Sequence, residues 1–227
     1  MHRLGYCSEN ASDVTKMIAI RQFQFDHGLT VDGVVGSKTQ EMIQKCLDSG
    51  FVSDVLIPDI DITAFLGPAK YAVQEHLAGA KEIGGNNKGP WVAKYHGVPE
   101  ARLGDDWAWC AAFASWCFRQ HYGEAMPMQA SGSAQKLFKN ASDSAQCVVF
   151  TDPLGFTPQV NDLVVWWRGE TRSWKGHVEI CLGLYGDMIL TIGGNVGPYP
   201  SPVRFFVYSR YDMPKLIGFA RACASTT

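Results

Sequence analysis

The sequence predicts an α+β protein, in which a small helical domain precedes a larger domain that has its helices first and its strands afterwards. Three observations predict this arrangement. Apolar residues recur at mostly helical spacing between Asp13 and Leu29. Six strand-like runs follow one another between Cys147 and Ala220. A proline-containing segment, residues 51–63, separates the two parts and is predicted to be a linker packed on the surface.

The first domain, residues 1–50, is predicted to consist of two helices joined by a tight turn. Ser12 or Asp13 can cap the first helix. The turn contains Asp32-Gly33, a pair that tolerates a positive φ angle. Ser37 can then cap the second helix.

The second domain, residues 64–227, is predicted to begin with helices. An amphipathic helix is expected from Phe65 to Ala80, with Leu66 and Leu77 on its apolar face. A further helix is expected to begin at Cys110. This helix is predicted to bury Phe113, Trp116 and Cys117.

The remainder of this domain is predicted to form a sheet. The short turn Tyr185-Gly186-Asp187 predicts that the strands on either side of it form an antiparallel hairpin. The hairpin would return the chain to the end of the sheet at which His177 lies. The predicted strands are Cys147–Phe150, Asp162–Arg168, His177–Leu184, Met188–Ile192, Val203–Tyr208 and Leu216–Ala220.

The composition is that of an ordinary globular protein, with 46% apolar and 19% charged residues among 227. A net charge of −2 gives no reason to expect nucleic acid as a partner. No apolar run approaches the roughly 20 residues that cross a bilayer, and the N-terminus lacks the pattern of a signal peptide. We therefore expect synthesis in the cytoplasm without a signal peptide. Seven cysteines without a Cys-x-x-Cys spacing suggest buried thiols, with no metal and no cofactor.

Three residues suggest cysteine hydrolase chemistry. Cys110 lies at the predicted start of a helix, where the positive end of the helix dipole favours a thiolate nucleophile. His177 begins a strand and can serve as the base and then as the acid. Asn195 follows Gly193-Gly194 and is the candidate that orients the imidazole ring through its amide oxygen. Backbone N–H groups at the start of the Cys110 helix could hold the oxyanion.

An alternative orienting residue and several substrate contacts remain open. Glu179 shares a strand face with His177 because side chains alternate with a period of two, so either Glu179 or Asn195 can orient the ring. Trp107 and Trp109 are candidates for the walls of a substrate cleft. Asn87 and Glu179 are further candidate substrate contacts.

The N-terminal segment resembles a known binding domain. Phe23-Gln24 and the segment Asp32-Gly-Val-Val-Gly-Ser-Lys-Thr39 are similar to the elements of the peptidoglycan-binding domain family. The resemblance covers roughly residues 3 to 48. It implies that bacterial peptidoglycan is the partner of this domain.

The second domain resembles the CHAP and NlpC-type cysteine peptidases over about residues 66 to 221. This resemblance implies a papain-like fold and cleavage of an amide bond in a peptidoglycan stem peptide, at the muramoyl–alanine link or within the peptide. It assigns the nucleophile to Cys110, the base to His177 and the polar third residue to Asn195. The matching segments are Glu82-Ile-Gly-Gly-Asn-Asn-x-Gly-Pro, Trp109-Cys110-Ala-Ala-Phe-x-Ser-Trp, Asn161-Asp162-Leu-Val-Val-Trp, Gly176-His177-Val and Gly193-Gly194-Asn195.

Two positions depart from the pattern of these relatives, and the biological setting has alternatives. Asn161 replaces a glycine that often precedes the Asp-Leu-Val strand, and Glu179 replaces a small residue after His-Val. The expected setting is a phage endolysin that a holin releases to the cell wall. The alternatives are an interbacterial toxin delivered by a secretion system, with an immunity protein as its partner, and a noncatalytic wall-binding protein.

Overall fold

The structure is a computed structural model that describes residues 1–101 and 106–223, and it confirms the predicted α+β fold. Helices dominate the first part of the chain and strands the second. Short 3-10 turns lie at His2–Leu4, Ile62–Ala64, Pro99–Ala101 and Gly123–Ala125. The α-helices are α1 (Asp13–Asp26), α2 (Ser37–Ser49), α3 (Pro68–Leu77), α4 (Pro90–His96), α5 (Cys110–Tyr122) and α6 (Ala134–Ser142).

Six strands form one sheet in which all neighbours pair antiparallel, in the order β1-β6-β2-β3-β4-β5. Strands β3 and β4 form the predicted hairpin, with Tyr185 opposite Met188. The central strand β3 lies between β2 and β4, and α5 packs against it. The strands are β1 (Cys147–Phe150), β2 (Leu163–Trp167), β3 (Gly176–Tyr185), β4 (Met188–Gly193), β5 (Arg204–Ser209) and β6 (Leu216–Ala222).

Hydrogen bonds from one side chain organise the turn between α1 and α2. Gln24 Oε1 accepts from the N–H of Gly33 at 2.7 Å, and Gln24 Nε2 donates to Asp32 Oδ1 at 2.9 Å. Gln24, Asp32 and Gly33, which belong to the motif predicted from the sequence, therefore bond to one another and stabilise the turn. Ser12 caps α1 as predicted, whereas Gly36 occupies the cap position of α2, so the predicted Ser37 cap is wrong by one residue.

The first helix, α1, lies directly on the sheet against β4 and β5. Gln22 Oε1 accepts from the N–H of Asp187 in the β3–β4 turn at 2.9 Å, and Phe25 stacks on Tyr211 with ring centroids 5.3 Å apart. Residues 51–63 run along the start of the chain, where the N–H of Ile57 donates to the carbonyl of Tyr6 at 2.9 Å. The segment is thus packed on the protein, while the domain boundaries remain a prediction.

The core of the second domain corrects three predictions of burial. Leu66 and Leu77 are 74% and 58% exposed, because α3 begins only at Pro68 and ends at Leu77, so neither lies over the sheet. Trp116 is half-buried, whereas Phe113 and Cys117 are buried as predicted. Within the described ranges, no helix has both the length and the apolarity needed to cross a bilayer.

Candidate active site

Cys110 is the first residue of α5 and is 2% exposed. The first helical hydrogen bond runs from the N–H of Phe113 to the carbonyl of Trp109 at 2.8 Å. The N–H groups of Cys110, Ala111 and Ala112 precede that bond and lie at the positive end of the helix. The predicted position of the thiol at a helix N-terminus is therefore confirmed.

His177 is the second residue of β3 and is 9% exposed. Its cross-strand neighbour Trp166 stacks on the imidazole, with ring centroids 6.0 Å apart and planes inclined by 25°. This contact restrains the plane of the ring. The sheet therefore determines the direction in which both imidazole nitrogens point.

Glu179 holds the imidazole of His177. Nε2 of His177 lies 3.0 Å from Oε1 of Glu179, whose side chain is fully buried. The same carboxylate accepts a hydrogen bond from Tyr208 Oη at 3.0 Å and another from the hydroxyl of Thr191. Burial, followed by the charge of Glu179, raises the pKa of Tyr208, so its hydroxyl stays protonated and donates. Three donors converge on one carboxylate, as an ionised acceptor requires.

Asn195 bonds to other partners. Arg168 Nη1 donates to Asn195 Oδ1, and Arg168 Nη2 donates to the Asn195 carbonyl, both at 2.9 Å. The amide Nδ2 donates to Oδ1 of Asn87. The expected hydrogen bond from Asn195 to the imidazole of His177 is therefore wrong. Asn195 adopts a φ angle of 61° just after β4 ends, and its amide oxygen accepts from Arg168, which follows β2.

The pKa values of the thiol and the imidazole shift in opposite directions. Burial opposes ionisation of Cys110, but the interaction with His177, together with the charge of Arg168, lowers the thiol pKa overall. Burial also opposes the charged form of His177, yet Cys110 and then Glu179 raise its pKa to about 9. Both shifts favour a thiolate–imidazolium ion pair.

The two imidazole nitrogens have different roles. Glu179 occupies Nε2, so the interaction with the Cys110 sulfur falls to Nδ1. Nδ1 is buried and forms no hydrogen bond with any residue that the structure describes. The nitrogen that faces the nucleophile is thus free to accept or return a proton.

Three other thiols that are buried or half-buried lack this activation. Burial raises the pKa of Cys147 to about 11 and that of Cys181 to about 12. Cys117 lies two turns further along α5, and burial together with the charge of Glu75 raises its pKa well above the ordinary value. These thiols therefore remain protonated at neutral pH.

Trp109 is a core residue, so its prediction as a cleft wall is wrong. The side chain is fully buried, stacks on Tyr95 with centroids 5.6 Å apart, and donates from Nε1 to Glu82 Oε1 at 3.1 Å. A Cβ atom on Gly194 would lie 2.1 Å from the Trp109 ring. A side chain at position 194 would therefore collide with the ring, which explains why a glycine precedes Asn195. The Trp109 ring is packed in the protein core and does not line the cleft.

Trp107 lies where the sequence predicts it, in the wall of a cleft beside Cys110. The cleft has a volume of about 430 Å³ and is also lined by Trp174, Arg168 and Lys175. Trp107 is 46% exposed and meets Trp174 edge to face, with ring centroids 6.2 Å apart. Cys110 itself is among the residues that line this cleft.

Asn87 and Glu179 hold the site together and do not line the Cys110 cleft. The side chain of Asn87 donates to the carbonyl of Asp106 at 3.0 Å and accepts from Asn195. Glu179 is enclosed below the imidazole. Both side chains thus bond within the protein, and their role as substrate contacts stays a prediction.

Two further residues, Glu82 and Arg168, support the site and are not predicted from the sequence. Glu82 is buried, and its carboxylate accepts from the N–H of Asn87 at 2.9 Å, from Trp109 Nε1, and from the N–H of Ser201 at 2.9 Å. It joins the loops on either side of the nucleophile. Arg168 anchors Asn195 beside the cleft. The predicted strand that ends at Arg168 is followed by the one that begins at His177. Antiparallel pairing of these two strands would therefore have predicted that Arg168 lies near His177.

Comparisons with known protein families agree with this geometry. Residues 102–195 match the family model described as "CHAP domain", a range that includes Cys110, His177 and Glu179. Residues 102–195 are thus similar to a CHAP domain. Residues 12–43, ahead of this range, match the family model described as "Putative peptidoglycan binding domain".

Two solved structures are similar to part of the chain. They are "The crystal structure of Ly7917", at 19% identity, and "The crystal structure of Ly7917 with the hydrolyzing product of MDP", at 20% identity. Each alignment has a TM-score of 0.38 and covers 51% of this chain and 53% of the other. The chain thus spans about half the length of the structures it matches. No curated protein matches the chain significantly.

Proposed function

We propose that the protein is a peptidoglycan hydrolase that cleaves an amide bond of the stem peptide, as an N-acetylmuramoyl-L-alanine amidase or an endopeptidase. The buried Cys110–His177–Glu179 arrangement within a CHAP domain carries this proposal. The peptidoglycan-binding match on the same chain supports the choice of polymer. Cys110 is the nucleophile, His177 is the base and acid, and Glu179 orients the ring.

The proposed reaction begins with the ion pair. The thiolate of Cys110 attacks the carbonyl carbon, and the carbonyl electrons move onto oxygen, which N–H groups at the start of α5 stabilise. The tetrahedral intermediate collapses, the C–N bond breaks, and Nδ1 of His177 gives its proton to the leaving amine. An acyl thioester on Cys110 remains.

Water completes the turnover. Nδ1 of His177 takes a proton from water as the water oxygen attacks the thioester carbon. The C–S bond then breaks, which releases the carboxylic acid and restores the thiolate–imidazolium pair. The carboxylate of Glu179 stays bonded to Nε2, so it stabilises the imidazolium both before acylation and after the proton is taken from water.

Incubation of the purified protein with sacculi is expected to release soluble fragments, and mass spectrometry of those fragments identifies the bond. A free lactyl group on the sugar would identify an amidase, whereas a new peptide terminus would identify an endopeptidase. Intact sacculi, or fragments with only new reducing sugar ends, would contradict the proposal.

We further propose a phage endolysin setting, with synthesis in the cytoplasm and action on the wall after holin-mediated release. The presence of a wall-binding match and a CHAP domain on one chain supports this setting. A second arm of the same experiment tests it in cells. Expression should lyse the host only when a holin is co-expressed, whereas toxicity that a neighbouring immunity protein suppresses would favour the toxin alternative.

A further inference from the structure

Two cationic side chains lie opposite each other beside the nucleophile. Trp167 pairs with Gly176 at the end of the β2–β3 ladder, and the N–H of Arg168 donates to the carbonyl of Lys175 at 3.0 Å. The antiparallel pairing therefore extends by one residue, so that Arg168 lies opposite Lys175. Directly opposed residues of antiparallel strands present their side chains on the same face of the sheet. Both side chains line the Cys110 cleft. Like charges opposed in this way destabilise a sheet unless an anion lies between them.

Among the residues that the structure describes, no carboxylate forms a salt bridge with Arg168 or Lys175 in the cleft. Arg168 donates to the amide oxygen and the backbone carbonyl of Asn195. These two neutral acceptors hold the guanidinium in place but do not compensate its positive charge. Asp106, a carboxylate of the same cleft, pairs with Lys88 at 3.2 Å. The described part of the cleft therefore presents two cations to a ligand.

Two aromatic side chains form part of the remaining wall of the cleft. Trp174 is 71% exposed and stands edge to face with Trp107, and Lys175 Nζ lies 5.5 Å from the centre of the Trp174 ring. Aromatic surfaces next to cations suit a peptide that has apolar side-chain carbon atoms and a carboxylate. Cys110 lies in the same cleft, so the part of the substrate bound there is next to the bond that breaks.

We propose that this cleft selects stem peptides that carry a free carboxylate beside the scissile bond over stems in which that carboxylate is amidated. Lys175 and Arg168 bind the carboxylate, and Asn195 holds Arg168 in place. This inference rests on the proposed function, since it names the chemical class of stem peptide that the same site accepts. Lys175 is the specificity-determining residue that can be changed without touching the Cys110–His177–Glu179 arrangement.

Two synthetic muropeptides that differ only in carboxylate against carboxamide at that position test the inference. The wild type should cleave the carboxylate form with a kcat/KM higher by about fivefold, the size expected of one exposed charge pair. The preference should shrink as salt is added, because exposed charges are screened over about 8 Å at physiological ionic strength.

Lys175→Gln should lower kcat/KM for the carboxylate form by about fivefold and thereby remove most of the preference over the carboxamide form. Arg172→Gln removes the same charge from an exposed residue of the same loop that does not line the cleft, and should keep the wild-type preference. Equal rates for both muropeptides in the wild type, or an unaltered preference in Lys175→Gln, would overturn the inference. Cleavage of neither muropeptide would instead count against the proposed function.

Discussion

Replacing Cys110 with alanine is expected to reduce amide hydrolysis by about 10⁴-fold or more, because removal of the nucleophile from a covalent mechanism leaves only binding and oxyanion stabilisation. The side chain is 2% exposed and small, so the variant should remain folded. The measurement is the rate of fragment release from sacculi, with circular dichroism to establish folding. Full activity in a folded Cys110→Ala protein would exclude this residue as the nucleophile.

Cys117→Ala is the matched control for that experiment. The residue lies on the same helix and is fully buried, but burial and the charge of Glu75 raise its thiol pKa. The loss of a buried sulfur should lower stability modestly and leave the rate within about threefold of wild type. A large loss of rate in a folded Cys117→Ala protein would show that the assay responds to repacking of α5 rather than to the nucleophile.

Glu179→Gln is expected to lower kcat by about 10²-fold to 10⁴-fold, since the imidazole loses the carboxylate that selects its tautomer and stabilises its charged form. The substitution keeps the size of a fully buried side chain. Glu179 helps to raise the pKa of His177 to about 9, so removal of its charge should lower that pKa. The alkaline limb of the pH–rate profile should therefore move to lower pH.

Asn195→Gly separates the two candidates for the orienting role. Glycine retains the φ angle of 61°, so the variant removes the amide with little backbone strain. Because the amide bonds to Arg168 and not to the imidazole, the rate should fall by no more than about tenfold, and the alkaline limb should stay in place. A loss as large as that of Glu179→Gln, with the same shift of the alkaline limb, would return the orienting role to Asn195.

Local patterns predict the elements of this fold well. Alternating apolar residues and turn formers locate all six strands to within two residues at each end. The helix that begins at Cys110 is likewise predictable, because an apolar helical run follows an aromatic loop. Period-two alternation on β3 places His177 and Glu179 on one face, and the hydrogen bond between them follows from that.

Contacts between distant segments are the part that local patterns do not predict. Asn195 adopts a left-handed backbone conformation just after β4, and its side chain bonds to Arg168. These two residues come together only when the sheet has assembled. Trp109 is buried because Gly194 leaves room for its ring. The two glycines before Asn195 therefore serve packing, since a Cβ on Gly193 would lie 2.7 Å from Cγ of Glu179.

The pH dependence of Cys110 alkylation by iodoacetamide, followed by peptide mapping to separate it from the other thiols, tests the ion pair most directly. His177 keeps its proton up to about pH 9 and thereby lowers the pKa of Cys110 below the ordinary thiol value of 9.0. The midpoint of alkylation in the wild type should therefore lie below pH 9.0. In His177→Ala, burial is no longer opposed by the imidazolium, and the midpoint should move above that value. Equal midpoints in the two proteins would contradict a thiolate activated by His177.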